Sequence, residues 1–412
     1  MRECKADRRS PHRCAPRLGA PCAVAIDHPD AGRFAKMVRF PREIFRMTQA
    51  APSAARAVSP ADGPVAVTGA SGYIGSWIVL DLMEQGYEVR SCVRDPSKPE
   101  KVDHLLALNE AGLRGHTTLH AGDLFEPGSY DDAFDGCCAV IHAGAAVGYN
   151  RETPQQVYDG CFTEVQHVLD SARRSAALKR FVFTSSFAAV GHPRPEGYVF
   201  TEKDWCGDNV EGYRGAWTEE NIPKNRDIAY AMAKARTEKM LYAAAEEDGT
   251  FDAMAILPLH VIGPLMCVNH DQGWSWQNCI RYMLMGKPYM KSRGGRMLWN
   301  NVDVRDTARA HRLCAESTVA KNGSRYILSA SDRSGELFTW EMQARLKDLF
   351  PSIADVGGEE TQDGKPAQKT YDSPRSYCLL AKQELGLHTY SIDETLKATG
   401  DSYFRLGLLP AS

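Results

Sequence analysis

The 412-residue chain contains no run of 18 apolar residues, so no segment reads as a membrane-spanning helix. It also lacks a strong charge of either sign. Its 49 Lys and Arg against 52 Asp and Glu leave a net −3, which gives no electrostatic reason to expect nucleic acid or an anionic membrane as partner. Its 12 cysteines are scattered and none forms a Cys-x-x-Cys pair, so neither a zinc ribbon nor a dithiol redox centre is expected, and no metal. Cys137 and Cys138 are adjacent and precede an apolar stretch, where packing is the expected role. No secretory signal is evident, so the expected compartment is cytoplasmic, with thiols reduced. No internal repeat is visible. What remains is a composition of 43% hydrophobic and 25% charged residues, that of a globular protein long enough to bury a core without staples.

The first 62 residues stand apart. They carry ten arginines (among them Arg2, Arg13, Arg33 and Arg56), few acids and repeated Pro and Ala, with no sustained hydrophobic period. A disordered tail, an organelle transit peptide, or a start that properly lies at Met37 or Met47 all fit this composition. Residues 1–62 are therefore set outside the fold.

From Pro64 the pattern becomes regular. Strands are expected at Val65–Thr68, Glu88–Val93, Thr117–His120, Ala139–His142, Arg180–Thr184 and Asp252–Leu257. Helices are expected at Tyr73–Gln85, Val102–Ala111, Tyr130–Phe134, Gln155–Ser175 and Ile228–Glu246. This alternation implies an α/β fold with a doubly wound parallel sheet over residues 63–258, its strand ends forming one ligand-binding edge. Beyond Pro258 the alternation weakens. Helices at Gly273–Leu284, Val304–Ala315 and Thr339–Leu349 and a strand at Tyr326–Leu328 suggest a smaller substrate-binding lobe over 259–412 that partly returns to the core.

Thr68-Gly69-Ala70-Ser71-Gly72-Tyr73-Ile74-Gly75 lies at the first strand-to-helix junction. Glycines there permit a tight turn, close approach of backbone to a pyrophosphate and close helix–strand packing, while the helix N-terminus attracts the phosphates. A glycine triplet alone is weak evidence; its place after the first apolar strand makes it a Rossmann-type dinucleotide site. The second strand ends in Arg94 and Asp95, with Lys98 and Lys101 close behind. A guanidinium suits the 2′-phosphate of NADP and a carboxylate the ribose of NAD, so Arg94 favours NADPH and Asp95 leaves NAD as the lesser alternative. Asp123 and Leu124 after the third strand can meet the adenine. Ala143, Gly144 and Ala145 after the fourth let a backbone pass close to a nucleotide.

Tyr230-Ala-Met-Ala-Lys234 lies within an expected helix, so phenol and ammonium share a face one turn apart. It follows the strand that ends in Thr184-Ser185-Ser186, on the ligand edge. A phenol that donates a proton near neutral pH needs a pKa below its free value of about 10, and a nearby ammonium lowers it. A serine hydroxyl can hold and polarise a substrate carbonyl.

Together these segments resemble the extended short-chain dehydrogenase/reductase family, within its dihydroflavonol reductase, cinnamoyl-CoA reductase and aldehyde reductase branch. Also alike are Val93-Arg-Asp-Pro96, Phe183-Thr-Ser-Ser186, Leu257-Pro-Leu-His-Val-Ile-Gly-Pro264 and Val302-Asp-Val-Arg-Asp-Thr-Ala-Arg-Ala310. The resemblance implies Ser186 as the catalytic serine, Tyr230 as proton donor and Lys234 on the nicotinamide ribose. It further implies Pro258 and its successors, Val261 included, beside the nicotinamide, and Arg94 with Lys101 at the 2′-phosphate.

Two departures narrow the substrate. Asp227-Ile-Ala-Tyr230-Ala stands where cinnamoyl-CoA reductases carry Asn-Trp-Tyr-Cys-Tyr, and Gly191 stands where dihydroflavonol reductases carry Asn or Asp. The segment Asp204–Arg226, with Trp205, Tyr213 and Trp217, is longer than usual and is expected to line a different pocket. The expected activity is NADPH-dependent reduction of an aldehyde or ketone carbonyl on a small molecule, by a monomer or homodimer. The alternatives are a 3β-hydroxysteroid-type dehydrogenase, a nucleotide-sugar epimerase, or a non-catalytic NADP sensor on the same scaffold.

Overall fold

Strand β1 (Val65–Thr68) sends alternate side chains to opposite faces: Val65 and Val67 into one apolar core, Ala66 into another. The same alternation organises a seven-stranded parallel sheet in a computed structural model of the chain. The structure describes residues 56–145, 153–191, 194, 198–207, 218–271, 275–287, 298–329, 336–357 and 376–410. All of them fall in the unit that runs Ala50–Ser412.

The strands are β1, β2 (Glu88–Val93), β3 (His116–Ala121), β4 (Ala139–His142), β5 (Arg180–Thr184), β6 (Asp252–Pro258) and, after three others, β9 (Arg325–Leu328). Their spatial order is β3-β2-β1-β4-β5-β6-β9. The direction of winding reverses between β1 and β4, the switch point where ligands bind in such sheets. Helices α1 (Tyr73–Glu84), α2 (Pro99–Leu106), α7 (Val304–Glu316) and α9 (Leu379–Leu385) pack on the face of Val65 and Val67. Helices α3 (Asp131–Phe134), α4 (Pro154–Ala172) and α5 (Arg226–Asp248) pack on the other.

A second, three-stranded sheet joins β7 (His260–Ile262), β8 (Leu298–Asp303) and β10 (Glu336–Phe338) in the order β10-β8-β7. It shares a core with α6 (Asn278–Leu284), α8 (Thr339–Leu349) and α10 (Ile392–Arg405). None of these strands was expected, nor α9 and α10. Three-residue strands such as β7 and β10 are too short to show a period of two.

Three expectations need correction. The expected helix Val102–Ala111 begins earlier, with Pro99 in its first turn, and its end tightens into a 3-10 turn at Ala107–Glu110. The helix expected from Gly273 is confined to Asn278–Leu284, residues 272–274 lying outside the described ones. Residues 56–62, placed in the tail, belong to the packed body. The buried Arg56 guanidinium donates to Asp252 Oδ1 at 2.5 Å and to the Gly249 carbonyl at 2.5 Å, and Val58 is 4% exposed. Asp252 also takes Arg180, a fully buried guanidinium that donates to the Arg56 carbonyl at 3.0 Å. Basic composition hid a buried ion pair, because charge alone does not report a partner far away in sequence. Residues 1–55 lie outside the described ones.

Candidate active site

The loops after β1 and β4 interlock at the switch point. Thr68 Oγ1 and His142 Nδ1 share a hydrogen at 2.6 Å, and the Gly144 N–H donates to the same Thr68 oxygen at 3.2 Å. Gly69 has φ +64°, and a Cβ on it would lie 2.6 Å from Gly144 Cα. A Cβ on Gly75 would lie 2.2 Å from the Gly69 carbonyl oxygen. Two of the three glycines are thus fixed by backbone on backbone, and the exposed third, Gly72, caps the N-terminus of α1 with an extended conformation. The resulting cradle, with free N–H groups at a helix start, fits a pyrophosphate. Ala143 and Gly144 are half-buried beside it and Ala145 is exposed. Ile74 packs on the core of β1.

Tyr73 has another task. Its hydroxyl donates to the Gly263 carbonyl at 2.8 Å and its ring packs against both the main core and that of the small sheet. With Trp77, whose indole donates to the Pro264 carbonyl at 2.9 Å, it ties α1 to the loop after β7. Val261 is 7% exposed and belongs to the same core as β1, paired with Val302, so its side chain is a packing element. Pro258 closes β6 in register with Leu328 of β9.

At the adenosine end, Arg94 is largely exposed and lies 3.6 Å from Asp123 Oδ2. Asp95 turns back on itself: Ser97 donates to it from both its N–H (3.0 Å) and its hydroxyl (2.6 Å), and Lys98 lies at 3.4 Å. These bonds hold the Asp95 carboxyl below the usual carboxylate range. Leu124 packs on the core of α3 and α4, and the exposed Lys101 reaches Asn269 Oδ1 at 3.5 Å.

The two serines after β5 have opposite surroundings. Ser185 is buried, and its hydroxyl donates to Glu238 on α5. Ser186, half-buried, starts a 3-10 turn and accepts the Ala188 N–H at 3.2 Å. Its hydroxyl also bonds the Tyr230 phenol. Lys234, 5% exposed, donates to the Thr184 carbonyl at 3.1 Å, and its Nζ lies 4.5 Å from the Phe183 ring centroid and 5.8 Å from that of Tyr230. The structure therefore brings Ser186, Tyr230 and Lys234 together at the end of β5.

The charge balance differs from the sequence expectation. The ammonium was expected to lower the Tyr230 pKa. Burial instead pushes the phenol up to about 12, the Ser186 hydrogen bond offsetting only part of it. Lys234 is itself pushed down by burial, and it spends a hydrogen bond on Thr184. Sequence reasoning missed Glu238, although Tyr230, Lys234 and Glu238 recur every four residues on one face of α5. Glu238 has no exposed surface and also takes Arg325 Nε at 2.6 Å. Trp205, expected to line a pocket, is instead covered by Arg325, whose guanidinium carbon lies 3.5 Å from its ring centroid. Tyr213 and Trp217 lie outside the described residues.

Among the described residues, no helix is long and apolar enough to cross a membrane. A cinnamoyl-CoA reductase from Medicago truncatula is 30% identical over 348 residues, covering 82% of this chain and 94% of that one. A dihydroflavonol 4-reductase from Arabidopsis thaliana is 33% identical over 270 residues, 65% of each chain. The fold matches a solved yeast methylglyoxal/isovaleraldehyde reductase complexed with NADPH, with a TM-score of 0.68 at 21% identity over 84% of this chain and 100% of that one. The family model of the NAD dependent epimerase/dehydratase family matches residues 65–328, from the first residue of β1 to the last of β9. The chain belongs to that family.

Proposed function

We propose that the protein is an NADPH-dependent reductase of aldehyde or ketone carbonyls, with Tyr230 as proton donor. The observation that carries this reading is a phenol bonded to a serine hydroxyl and backed by a buried lysine, at the edge where the glycine cradle lies. When bound, reduced nicotinamide supplies a hydride to the carbonyl carbon. Ser186 donates a hydrogen bond to the carbonyl oxygen and polarises it. As charge develops on that oxygen, Tyr230 passes its phenolic proton to it and the product leaves as an alcohol. Lys234 is the residue to hold the nicotinamide ribose, its ammonium anchored by the Thr184 carbonyl.

NADPH is favoured over NADH because Arg94 presents an exposed guanidinium while the rival carboxylate, Asp95, is engaged by Ser97 and Lys98. A protonated phenol suits reduction better than the reverse direction, which needs a base. The relatives named above, reductases by their names, agree with that direction. Purified protein should oxidise NADPH faster than NADH in the presence of short aldehydes and ketones. Retention of NAD through purification, with no net consumption of either reduced cofactor across that panel, would instead indicate an epimerase.

A further inference from the structure

Behind the glycine turn, two imidazoles and a thiol from separate parts of the chain converge. His104 stands in the last turn of α2; Cys267 and His270 flank and close the 3-10 turn Val268–His270 in the loop after β7. Each offers one donor atom, and the three atoms all lie within 4.8 Å of one another. The two rings stand edge to face with centroids 5.1 Å apart. Ser76 of α1 sits between them, its Oγ 2.9 Å from His104 Nε2 and 3.3 Å from His270 Nε2.

We propose that His104, Cys267 and His270 form a binding site for one zinc-class divalent cation. Two imidazoles and a thiolate are a borderline-soft set that suits Zn²⁺, at metal–ligand distances of about 2.0–2.3 Å, so the donors need only close by a fraction of their present spread. The scaffold supports that closure. Asn269 donates to the Glu100 carbonyl and accepts from Lys101, which already docks the 3-10 turn against α2. The Met266 N–H donates to His270 Nδ1 at 3.3 Å, a long contact that must open so that the ring proton can move from Nε2 to Nδ1 and free Nε2 for the cation.

A purely structural role is the competing account, since one hydroxyl can hold two rings. Ser76 Oγ, however, also contacts the Ala70 carbonyl at 2.9 Å and the Gly72 carbonyl at 2.8 Å. A single hydroxyl donates once and accepts twice, so four polar neighbours exceed its capacity. In that account the Cys267 sulfur accepts the Asn269 and His270 N–H groups, and the same sulfur lies with the two imidazoles. On binding, Cys267 loses its proton to solvent and the sulfur bonds the cation, three protein ligands leaving the fourth tetrahedral position to water. Such an ion would clamp α2 to the loop after β7, beside the cradle. The proposal does not rest on the reductase reading.

The full-length chain, stripped with chelator and equilibrated with Zn²⁺, tests it. Cys4, His12, Cys14, Cys22 and His28 are further possible donors, so the informative quantity is a difference. Wild type should retain one more zinc per chain than C267S, and than H104A. Loaded with Co²⁺, wild type should show a thiolate-to-cobalt charge-transfer band that is weaker by one site's worth in C267S. Thermal melting in chelator verifies that each variant is folded, and zinc should raise the melting temperature of wild type more than that of either variant. Equal zinc content in wild type and in both folded variants would overturn the site.

Discussion

Ser185 donates its hydroxyl hydrogen to Glu238, a carboxylate with no exposed surface, and this leaves Ser186 as the serine of the pair that meets Tyr230. Glu238 also accepts from Arg325 Nε at 2.6 Å and from the Tyr242 hydroxyl at 3.2 Å. One carboxylate therefore ties the end of β5, helix α5 and strand β9. Glu238→Ala would leave the 5%-exposed Arg325 guanidinium without its counter-charge. Breaking one side of a buried ion pair costs about 3–5 kcal/mol. Denaturant unfolding should show that loss as a lower midpoint at unchanged slope. Glu238→Gln, which keeps the shape and one acceptor oxygen, should lose less. Equal, small losses in both variants would mean that Arg325 has other anchors sufficient to hold it.

For Tyr230→Phe, the ring and its packing stay and only the donated proton goes. Turnover should fall by about 10²–10⁴-fold, the usual worth of a positioned proton donor, with NADPH affinity unchanged by fluorescence titration. The wild-type phenol, pushed up to about 12, stays protonated through neutral and mildly alkaline pH. The kcat/KM profile for reduction should consequently show no alkaline decline in that range. A decline centred near neutrality would assign the proton transfer to another group.

Much of the site was legible because its parts are local in sequence. The glycine turn, the Tyr230–Lys234 spacing and the strand ends Arg94 and Asp123 each announce themselves within a few residues, and β1, β2, β4 and β5 have the bounds that alternation and apolar runs predict. What escaped depends on distant partners. Nothing near Arg56 reveals Asp252, 196 residues on, and nothing near Trp205 reveals Arg325. The direction of the Tyr230 shift was misjudged for the same reason, since an i,i+4 lysine is visible in the sequence while the burial that outweighs it is not. Likewise the resemblance implies Val261 beside the nicotinamide, while its pairing with Val302 and its place in the main core depend on the distant strand β8.

Arg94 offers a test of cofactor choice that leaves the fold alone. Its partner, Asp123, lies 3.6 Å away with both side chains substantially exposed, and surface pairs of that kind are worth about 0–1 kcal/mol. Stability of Arg94→Ala should accordingly be within error of wild type. Hydrogen bonds to a charged group contribute about 1.5–3 kcal/mol, so KM for NADPH should rise by about 10–100-fold while KM for NADH hardly changes. A parallel rise for both cofactors would place Arg94 on the part that they share.

Asp306 links stability to pH. It lies on α7, 1% exposed, accepting the Tyr390 N–H at 2.8 Å and facing Arg309 at 3.2 Å. Arg309 and Arg305 draw its pKa down, and so does the Tyr390 hydrogen bond. Burial, aided by the neighbouring Asp303 carboxylate, outweighs all three and raises it to about 7. An acid whose pKa is higher in the folded chain than in the unfolded one binds its proton more tightly when folded. Between about pH 4 and pH 7 the folded state thus carries more of that proton, and stability falls as pH rises through this window. Asp306→Asn cannot ionise but keeps an acceptor for Tyr390. Its stability relative to wild type should improve from pH 5 to pH 8, read as the difference in denaturation midpoints at the two values. A difference that stays constant with pH would mean that Arg305 and Arg309 hold Asp306 ionised throughout.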